Sequence, residues 1–207
     1  MAEEQAPSPA PLFGAGSCGL DEVGRGALAG PLVAAAVVLP DGFSHPLLRD
    51  SKLLSEAQRE SIEPLIRREA VALGVSSVGA DLIDQRGLSW ANRVVFERLI
   101  AMVGAREYLV DGNLVLASAR HWRSIVGGDR LVPAISAASI VAKVYRDRLM
   151  RDLHPEFPDY GWDRNKGYGT EHHLRAISRV GVCPHHRLSF IHPEPRGLFE
   201  ELIRAPG

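Results

Sequence analysis

Four acidic residues are the side chains best suited to catalysis, because each follows a run of residues that is typical of a strand. They are Asp21, Glu22, Asp111 and Asp129. The ends of strands and the loops beyond them are where a rigid sheet presents functional groups to solvent. If the carboxylates converge, their mutual repulsion raises their pKa values and destabilises the fold unless a cation lies between them. Oxygen-only ligands select Mg²⁺ or Mn²⁺ over Zn²⁺, and a pair of such ions ~4 Å apart is typical of phosphodiester hydrolysis.

Each acid, taken singly, also has a simpler interpretation as a cap, a turn residue or half of a surface ion pair. Asp111-Gly112 is a common turn dipeptide, and Asp129 can belong to a Gly-Gly-Asp turn. Adjacent side chains of a regular strand point to opposite faces of the sheet. We therefore expect Asp21 and Glu22 to share a site only if the strand breaks there, and the following VGRG is suited to break it.

The glycine-rich step GRGALAG, which begins at Gly24, favours close approach of the backbone to a ligand. It is GxGxxxG rather than the dinucleotide pattern GxGxxG, and it precedes a predicted strand instead of a helix. A nucleotide-dependent oxidoreductase would require a helix after Gly26. Without a Cβ, Gly24 and Gly26 allow backbone groups to contact a sugar and test for its 2′-OH, while Arg25 adds a phosphate contact.

Other polar side chains are candidates for contact with a phosphate backbone, which gives affinity and register without reading base sequence. These candidates are Lys52, Ser139, Lys143, Lys166 and Arg187. Arg146 and Arg148 are predicted only to solvate a helix. The adjacent histidines at 172–173 and 185–186 lack the i, i+4 spacing of helical zinc ligands, so we predict surface or backbone-contact groups there.

The periodicity of apolar residues predicts an α/β fold with a mixed sheet covered by helices. The apolar run 31–40 is typical of a buried strand, and further strands are predicted at 17–20, 71–80, 107–111 and before Asp129. Helices are predicted at 55–70 with a Ser55…Gln58 capping box, at 81–104 in two parts, at 134–153, at 171–181 and at 195–204.

Length and composition are those of one globular domain. The chain has 207 residues, 45% of them hydrophobic and 24% charged, with a net charge of −1. Its two cysteines are far apart and fit a reducing cytosol. Residues 1–15 are Pro/Ala-rich and acidic, so we expect a disordered tail rather than a secretory signal, followed by a single catalytic domain over 16–207. We expect a cytoplasmic, monomeric protein without a membrane span.

Several motifs together resemble bacterial ribonuclease HII. They are GLDEVGRGALAGP, the DSK at 50–52, LVDGN around Asp111, GGDRLVPAISAASIVAKVYRDRLM, and the later NKGYGT…HL and HHRLSF. They follow the order of the family and cover roughly residues 16 to 192. The resemblance implies a ribonuclease H-like fold: a five-stranded mixed sheet flanked by helices, with a C-terminal helical extension.

The resemblance also implies residue roles. Asp21, Glu22, Asp111 and Asp129 match the ligands of two catalytic Mg²⁺ or Mn²⁺ ions. Gly24, Arg25 and Gly26 match the element whose backbone reads the ribose 2′-OH. Tyr168 matches the tyrosine that packs on the sugar of the next nucleotide.

The implied activity is endonucleolytic cleavage of RNA in RNA·DNA hybrids and on the 5′ side of ribonucleotides embedded in duplex DNA. The expected partners are therefore these two kinds of nucleic acid. A non-catalytic hybrid-binding module would need a missing acid, and all four are present. Type HIII carries an extra N-terminal substrate-binding domain, for which we expect no room in the short segment before residue 16.

Overall fold

The computed structural model describes residues 16–49, 53–118 and 120–191. The predicted tail at 1–15, the predicted helix at 195–204 and the candidate phosphate contact Lys52 lie outside these residues. The predicted domain boundaries and C-terminal helical extension therefore stay predictions.

Five strands form one mixed sheet, as the sequence predicted. The strands are β1 (Ser17–Val23), β2 (Leu32–Val38), β3 (Ala72–Val78), β4 (Glu107–Asp111) and β5 (Trp122–Ile125). Their order across the sheet is β3-β2-β1-β4-β5. The pairs β1–β2 and β2–β3 are antiparallel, whereas β1–β4 and β4–β5 are parallel. This arrangement brings the ends of β1 and β4, which carry acids, to the same edge of the sheet.

The first strand does not break at its acidic pair, and that prediction was wrong. β1 continues through Val23 because its backbone stays paired with β2, with Asp21 opposite Ala35 and Glu22 opposite Ala34. The parallel pairing with β4 stops earlier, at Leu20 opposite Val110. The strands β1 and β4 therefore separate immediately before Asp21 and Asp111.

Helices cover both faces of the sheet. Their bounds are α1 (Glu56–Glu69), α2 (Ala80–Arg86), α3 (Leu88–Met102), α4 (Gly128–Leu131), α5 (Pro133–Leu153), α6 (Trp162–Asn165) and α7 (Glu171–Val180). The Ser55–Gln58 capping box of α1 is confirmed. Asp129 does not end a strand as predicted, because β5 stops at Ile125 and a left-handed turn at Gly127 starts the one-turn helix α4. Within the described residues, no helix is long and apolar enough to cross a membrane.

Side-chain alternation in the central strands divides the core into two layers. Cys18 and Leu20 of β1 face the layer that contains α3, and Val33 and Ala35 of β2 face the layer that contains α5. All seven residues of β2 are buried. The sheet is thus the middle of three layers, and α5 is the helix that lies against the strands carrying the acids.

Gly19 lets α5 approach β1 closely, and we expect Gly19→Ala to destabilise the fold by about 3 kcal/mol or more. A Cβ at this position would lie 2.1 Å from the backbone carbon of Ala134 and 2.1 Å from the backbone nitrogen of Ile135. Denaturant unfolding measures the loss. Gly104→Ala is the matched control, because a Cβ there meets nothing within 4 Å. Equal stability of the two variants would contradict the close contact.

Candidate active site

Three carboxylates lie on the strand ends where β1 and β4 separate. Asp21 lies on β1 and is only 7% exposed, and the side chain of its neighbour Glu22 is 11% exposed. Asp111 is the last residue of β4, and its charge acts on both of the other two carboxylates. The strand stays regular, yet the charges of Glu22 and Asp111 both act on Asp21.

Burial governs the electrostatics of this group. Burial and, to a smaller extent, the charges of Glu22 and Asp111 together raise the pKa of Asp21 to about 8, and interaction with Ser139 opposes the rise. The backbone N–H of Glu22 also donates to Asp21 Oδ1 at 2.8 Å. Burial likewise raises the pKa of Glu22, against the opposing charge of Arg25, whose Nη1 lies 3.3 Å from Glu22 Oε1. The site therefore concentrates negative charge that its own residues neutralise only in part.

Asp129 joins this region through the turn that precedes α4. The backbone N–H of Gly128 donates to Asp111 Oδ1 at 2.8 Å, which fixes the start of α4 against the end of β4. Asp129, the next residue, is fully buried. A hydrogen bond thus fixes the backbone of residue 128, which precedes the fourth acid in the chain, to the side chain of the third.

The chemistry of this group fits a hard divalent cation. Carboxylate oxygens are the donors that Mg²⁺ and Mn²⁺ prefer, and a cation would offset the burial and the repulsion that raise the pKa of Asp21. Across the described ranges, no three His, Cys, Asp or Glu side chains are arranged to hold a metal ion by themselves. Oxygens from water or phosphate, which Mg²⁺ commonly retains, would have to complete the coordination.

The glycine-rich loop, residues 24–30, follows Asp21 and Glu22 in the chain. Gly24 adopts a left-handed φ of +91°, and Arg25 extends outward with its side chain 59% exposed. Gly26 is exposed and has no neighbour within 4 Å of an added Cβ. Strand β2 follows the loop and no helix does, so the feature required by a dinucleotide-binding oxidoreductase is missing here.

Two buried arginines hold this loop, and both sequence predictions for them were wrong. Arg146 was expected to solvate a helix, but it is fully buried and donates to the carbonyls of Pro31, Ala29 and Lys166 at 2.8–3.0 Å. Arg187 was expected to contact phosphate, but it is also fully buried, with Nε 3.0 Å from the Gly30 carbonyl oxygen and Nη1 3.1 Å from that of Arg25. Guanidinium groups with several fixed donors can hold several carbonyls in place together.

The Tyr168 ring lies near two cations of α5. The Arg146 Cζ atom is 5.3 Å and the Lys143 Nζ atom 5.7 Å from the centre of its ring. Lys143 also pairs with Asp147 at 2.8 Å. Lys166 is nearly buried, lies 3.4 Å from Glu56 Oε1 and bonds the Asp163 carbonyl, so it tethers its loop and is not an open phosphate contact as predicted.

Comparison with known proteins agrees with this architecture. The family model described as Ribonuclease HII matches residues 18–193. The chain belongs to the ribonuclease HII family.

The ribonuclease HII of Porphyromonas gingivalis is 49% identical over 177 residues, which cover 84% of this chain and 88% of that relative. That of Syntrophus aciditrophicus is 45% identical over 174 residues, which cover 83% and 82%. In a PCNA:RNase HII complex from Archaeoglobus fulgidus, the matched chain is 25% identical with a TM-score of 0.72, covering 84% of this chain and 93% of that chain. Membership of the ribonuclease HII family confirms the expected class, a metal-dependent endoribonuclease and thus a hydrolase.

A buried histidine pair escaped the sequence interpretation. His173 and His186 were predicted as surface or backbone-contact groups, but both side chains are buried, and their Nε2 atoms lie 3.1 Å apart. In α7 the buried positions are His173, Ala176 and Ile177. This i, i+3, i+4 spacing marks the inward face of a helix, and applied to residue 173 it would have predicted a core histidine.

Replacing Arg146 by lysine should destabilise the ribonuclease HII fold by about 3 kcal/mol, because one ammonium cannot serve three buried carbonyls in different directions. Chemical denaturation gives the free energy of unfolding. Arg148→Lys on the same helix is the matched control, since its side chain is 47% exposed, and it should change that free energy by less than ~0.5 kcal/mol. Similar losses in both variants would refute the role of Arg146.

Asp21→Asn should stabilise the metal-free protein at alkaline pH. Because the native pKa of Asp21 is raised from 3.8 to about 8, the native state binds more protons than the unfolded state between these values. This contribution to wild-type stability is therefore fully present below pH 3.8 and is lost as the pH rises towards 8. In the presence of chelator at pH 8, the Tm of the variant should exceed that of wild type by at least ~2–4 °C.

The gain should disappear near pH 4, where the wild-type carboxyl is protonated. Asp41→Asn, at an exposed turn, serves as the control and should show no pH-dependent gain. A lower Tm for Asp21→Asn at pH 8 would contradict the repulsive environment.

Proposed function

We propose that this enzyme hydrolyses the RNA strand of RNA·DNA hybrids and cuts duplex DNA on the 5′ side of embedded ribonucleotides, leaving a 3′-hydroxyl and a 5′-phosphate. The observation that carries the proposal is the position of the Asp21, Glu22 and Asp111 carboxylates immediately beside the glycine-rich loop at 24–26. Two of the proposed metal ligands, Asp21 and Glu22, and the backbone proposed to contact the sugar are thus parts of one short segment.

The carboxylates would serve as metal ligands. Asp21, Glu22 and Asp111, with Asp129 beside them, would hold two Mg²⁺ or Mn²⁺ ions. When bound, such ions activate the attacking water and stabilise the leaving 3′-oxygen. Ser139 would stabilise the ionised Asp21 carboxylate, whose pKa it lowers. No protein nucleophile and no covalent intermediate are required.

Substrate selection would depend on the loop and on Tyr168. The backbone of Gly24, Arg25 and Gly26 would contact the ribose 2′-OH, because the turn is exposed at Arg25 and Gly26 and Arg187 fixes the Arg25 carbonyl. The Tyr168 ring would pack on the sugar of the following nucleotide. Lys143, and Lys52 outside the described residues, would contact phosphates. The cytoplasmic location and the monomeric state stay predictions.

A DNA duplex that contains one ribonucleotide tests the proposal. With Mg²⁺ or Mn²⁺ the enzyme should cut once, on the 5′ side of the ribonucleotide, and excess chelator should abolish the cut. Asp21→Asn and Asp111→Asn should lose activity by at least ~100-fold, because removal of a ligand charge weakens metal binding at the reacting phosphate.

The matched control is Asp41→Asn, which should cut like wild type, and an all-DNA duplex should stay intact. Product ends are read by ligation and by labelling of the 5′-phosphate. Near-normal metal-dependent cleavage by either site variant, or cutting of the all-DNA duplex, would overturn the proposal.

A further inference from the structure

A buried polar cluster lies behind Tyr168, apart from the carboxylates. It contains His173 of α7, His186, Trp162 of α6, and the backbone of Cys183. His173 and Trp162 are fully inaccessible, and His186 is 2% exposed. Polar groups buried to this degree are stable only when their hydrogen bonds are made, so the order of protons in the cluster is constrained.

The contacts determine that order. The Cys183 N–H can only donate, and it points to His186 Nδ1 at 3.0 Å, so this nitrogen accepts. A neutral His186 then carries its proton on Nε2 and donates to His173 Nε2 at 3.1 Å.

Trp162 Nε1–H also points to His173 Nε2 at 3.1 Å, so the two donors share the single in-plane lone pair of this nitrogen. His173 therefore carries its proton on Nδ1, which donates to the Tyr168 carbonyl at 2.9 Å. Every donor in the chain of bonds has an acceptor only when both rings are neutral.

The cluster connects the two elements that we assign to substrate selection. One end holds the Tyr168 carbonyl. The other end holds the segment 183–187. In this segment His186 pairs with Ala29 in an isolated β-bridge, and the His185 carbonyl accepts from the Gly30 N–H at 2.8 Å. The Arg187 N–H donates to the Leu28 carbonyl at 2.8 Å. The glycine-rich loop and Tyr168 therefore share one buried support.

We propose that His173 and His186 are positioning residues which, as a neutral pair with a single proton order, fix the Tyr168 backbone relative to the glycine-rich loop. The inference rests on the proposed function for the role of Tyr168, whereas the proton order itself rests only on the contacts. Protonation of either ring would place a donor against the N–H of Cys183 or of Trp162 and would break the connection.

The surroundings of the pair keep both rings neutral. Burial lowers the pKa of His173, and burial together with the charge of protonated His173 lowers the pKa of His186 to about 4. Tyr160 and Cys183 are the other titratable groups in contact with the pair, and His172 and His185 act on it through charge when protonated. The Cys183 thiol lies 3.3 Å from His186 Nδ1, and burial raises its pKa, so it stays protonated and neutral beside that acceptor.

The proton order is tested first, by ¹⁵N NMR of the imidazole rings in the full-length wild-type protein. His173 should show the Nδ1–H tautomer and His186 the Nε2–H tautomer at neutral pH. The His186 signals should titrate near pH 4, whereas a free imidazole titrates near pH ~6.5. The opposite tautomers, or titration of His186 near pH 6.5, would overturn the proposal without bearing on the nuclease activity.

The positioning role is tested with variants at residue 173 on the single-ribonucleotide duplex. His173→Phe keeps a ring and removes the bond to the Tyr168 carbonyl, and KM should rise about five- to tenfold with kcat changed less than twofold, as expected for lost substrate positioning. His173→Asn restores a donor near the Nδ1 position and should recover part of the KM. His172→Phe is the matched control, because the neighbouring side chain is exposed, and it should behave as wild type.

The outcomes separate the two proposals. If wild type does not cut the duplex, the proposed function fails. If wild type cuts it and folded His173→Phe has an unchanged KM, or if His173→Asn is no better than His173→Phe, the positioning role fails. Should His173→Phe not fold, the comparison of His173→Asn with His172→Phe decides: an unchanged KM for His173→Asn overturns the role, and a raised KM supports it.

Discussion

Burial of like charges at the separation of β1 and β4 is the constraint on which the site depends. Asp21 is almost inaccessible and lies within the electrostatic reach of Glu22 and Asp111, so its ionised form is disfavoured in the metal-free protein. Such an arrangement persists only if the surrounding fold holds β1 and β4 in place against the repulsion between the carboxylates. The buried residues of β2 and the close approach of α5 at Gly19 provide that rigidity. A divalent cation would be attracted by the same carboxylates, and binding it would remove their mutual repulsion.

The long helix α5 is the common support of the metal-facing and the substrate-facing groups. Ser139, Lys143 and Arg146 follow the spacing i, i+4, i+7 and therefore lie on one face of the helix. The first bonds Asp21, and the other two contact the Tyr168 ring. One rigid element thus fixes the distance between the proposed point of cleavage and the proposed sugar-packing tyrosine, which is what a nuclease that selects a position along a strand requires.

Much of this organisation could be predicted from local patterns. The continuous apolar run of β2 and the Ser55 capping box each depend on residues near one another in the chain, and the motifs indicated the family. The errors share a different cause. Whether β1 breaks at Asp21 depends on its pairing with β2, and whether a cation such as Arg187 faces phosphate or the interior depends on carbonyls more than 150 residues away.

The sequence by itself determined the fold class and the family, and it predicted the acids of the site, because residue type and local periodicity carry that information. Only the tertiary structure decided the roles of Arg146, Arg187, His173 and His186. Residue type alone places arginines at the surface, and of the four side chains only His173 could have been recognised as buried, from the spacing in α7. They are buried because the turns at 24–31, 165–168 and 183–187 leave backbone carbonyls and N–H groups that must be paired inside the protein. That demand exists only once the distant segments have been brought together.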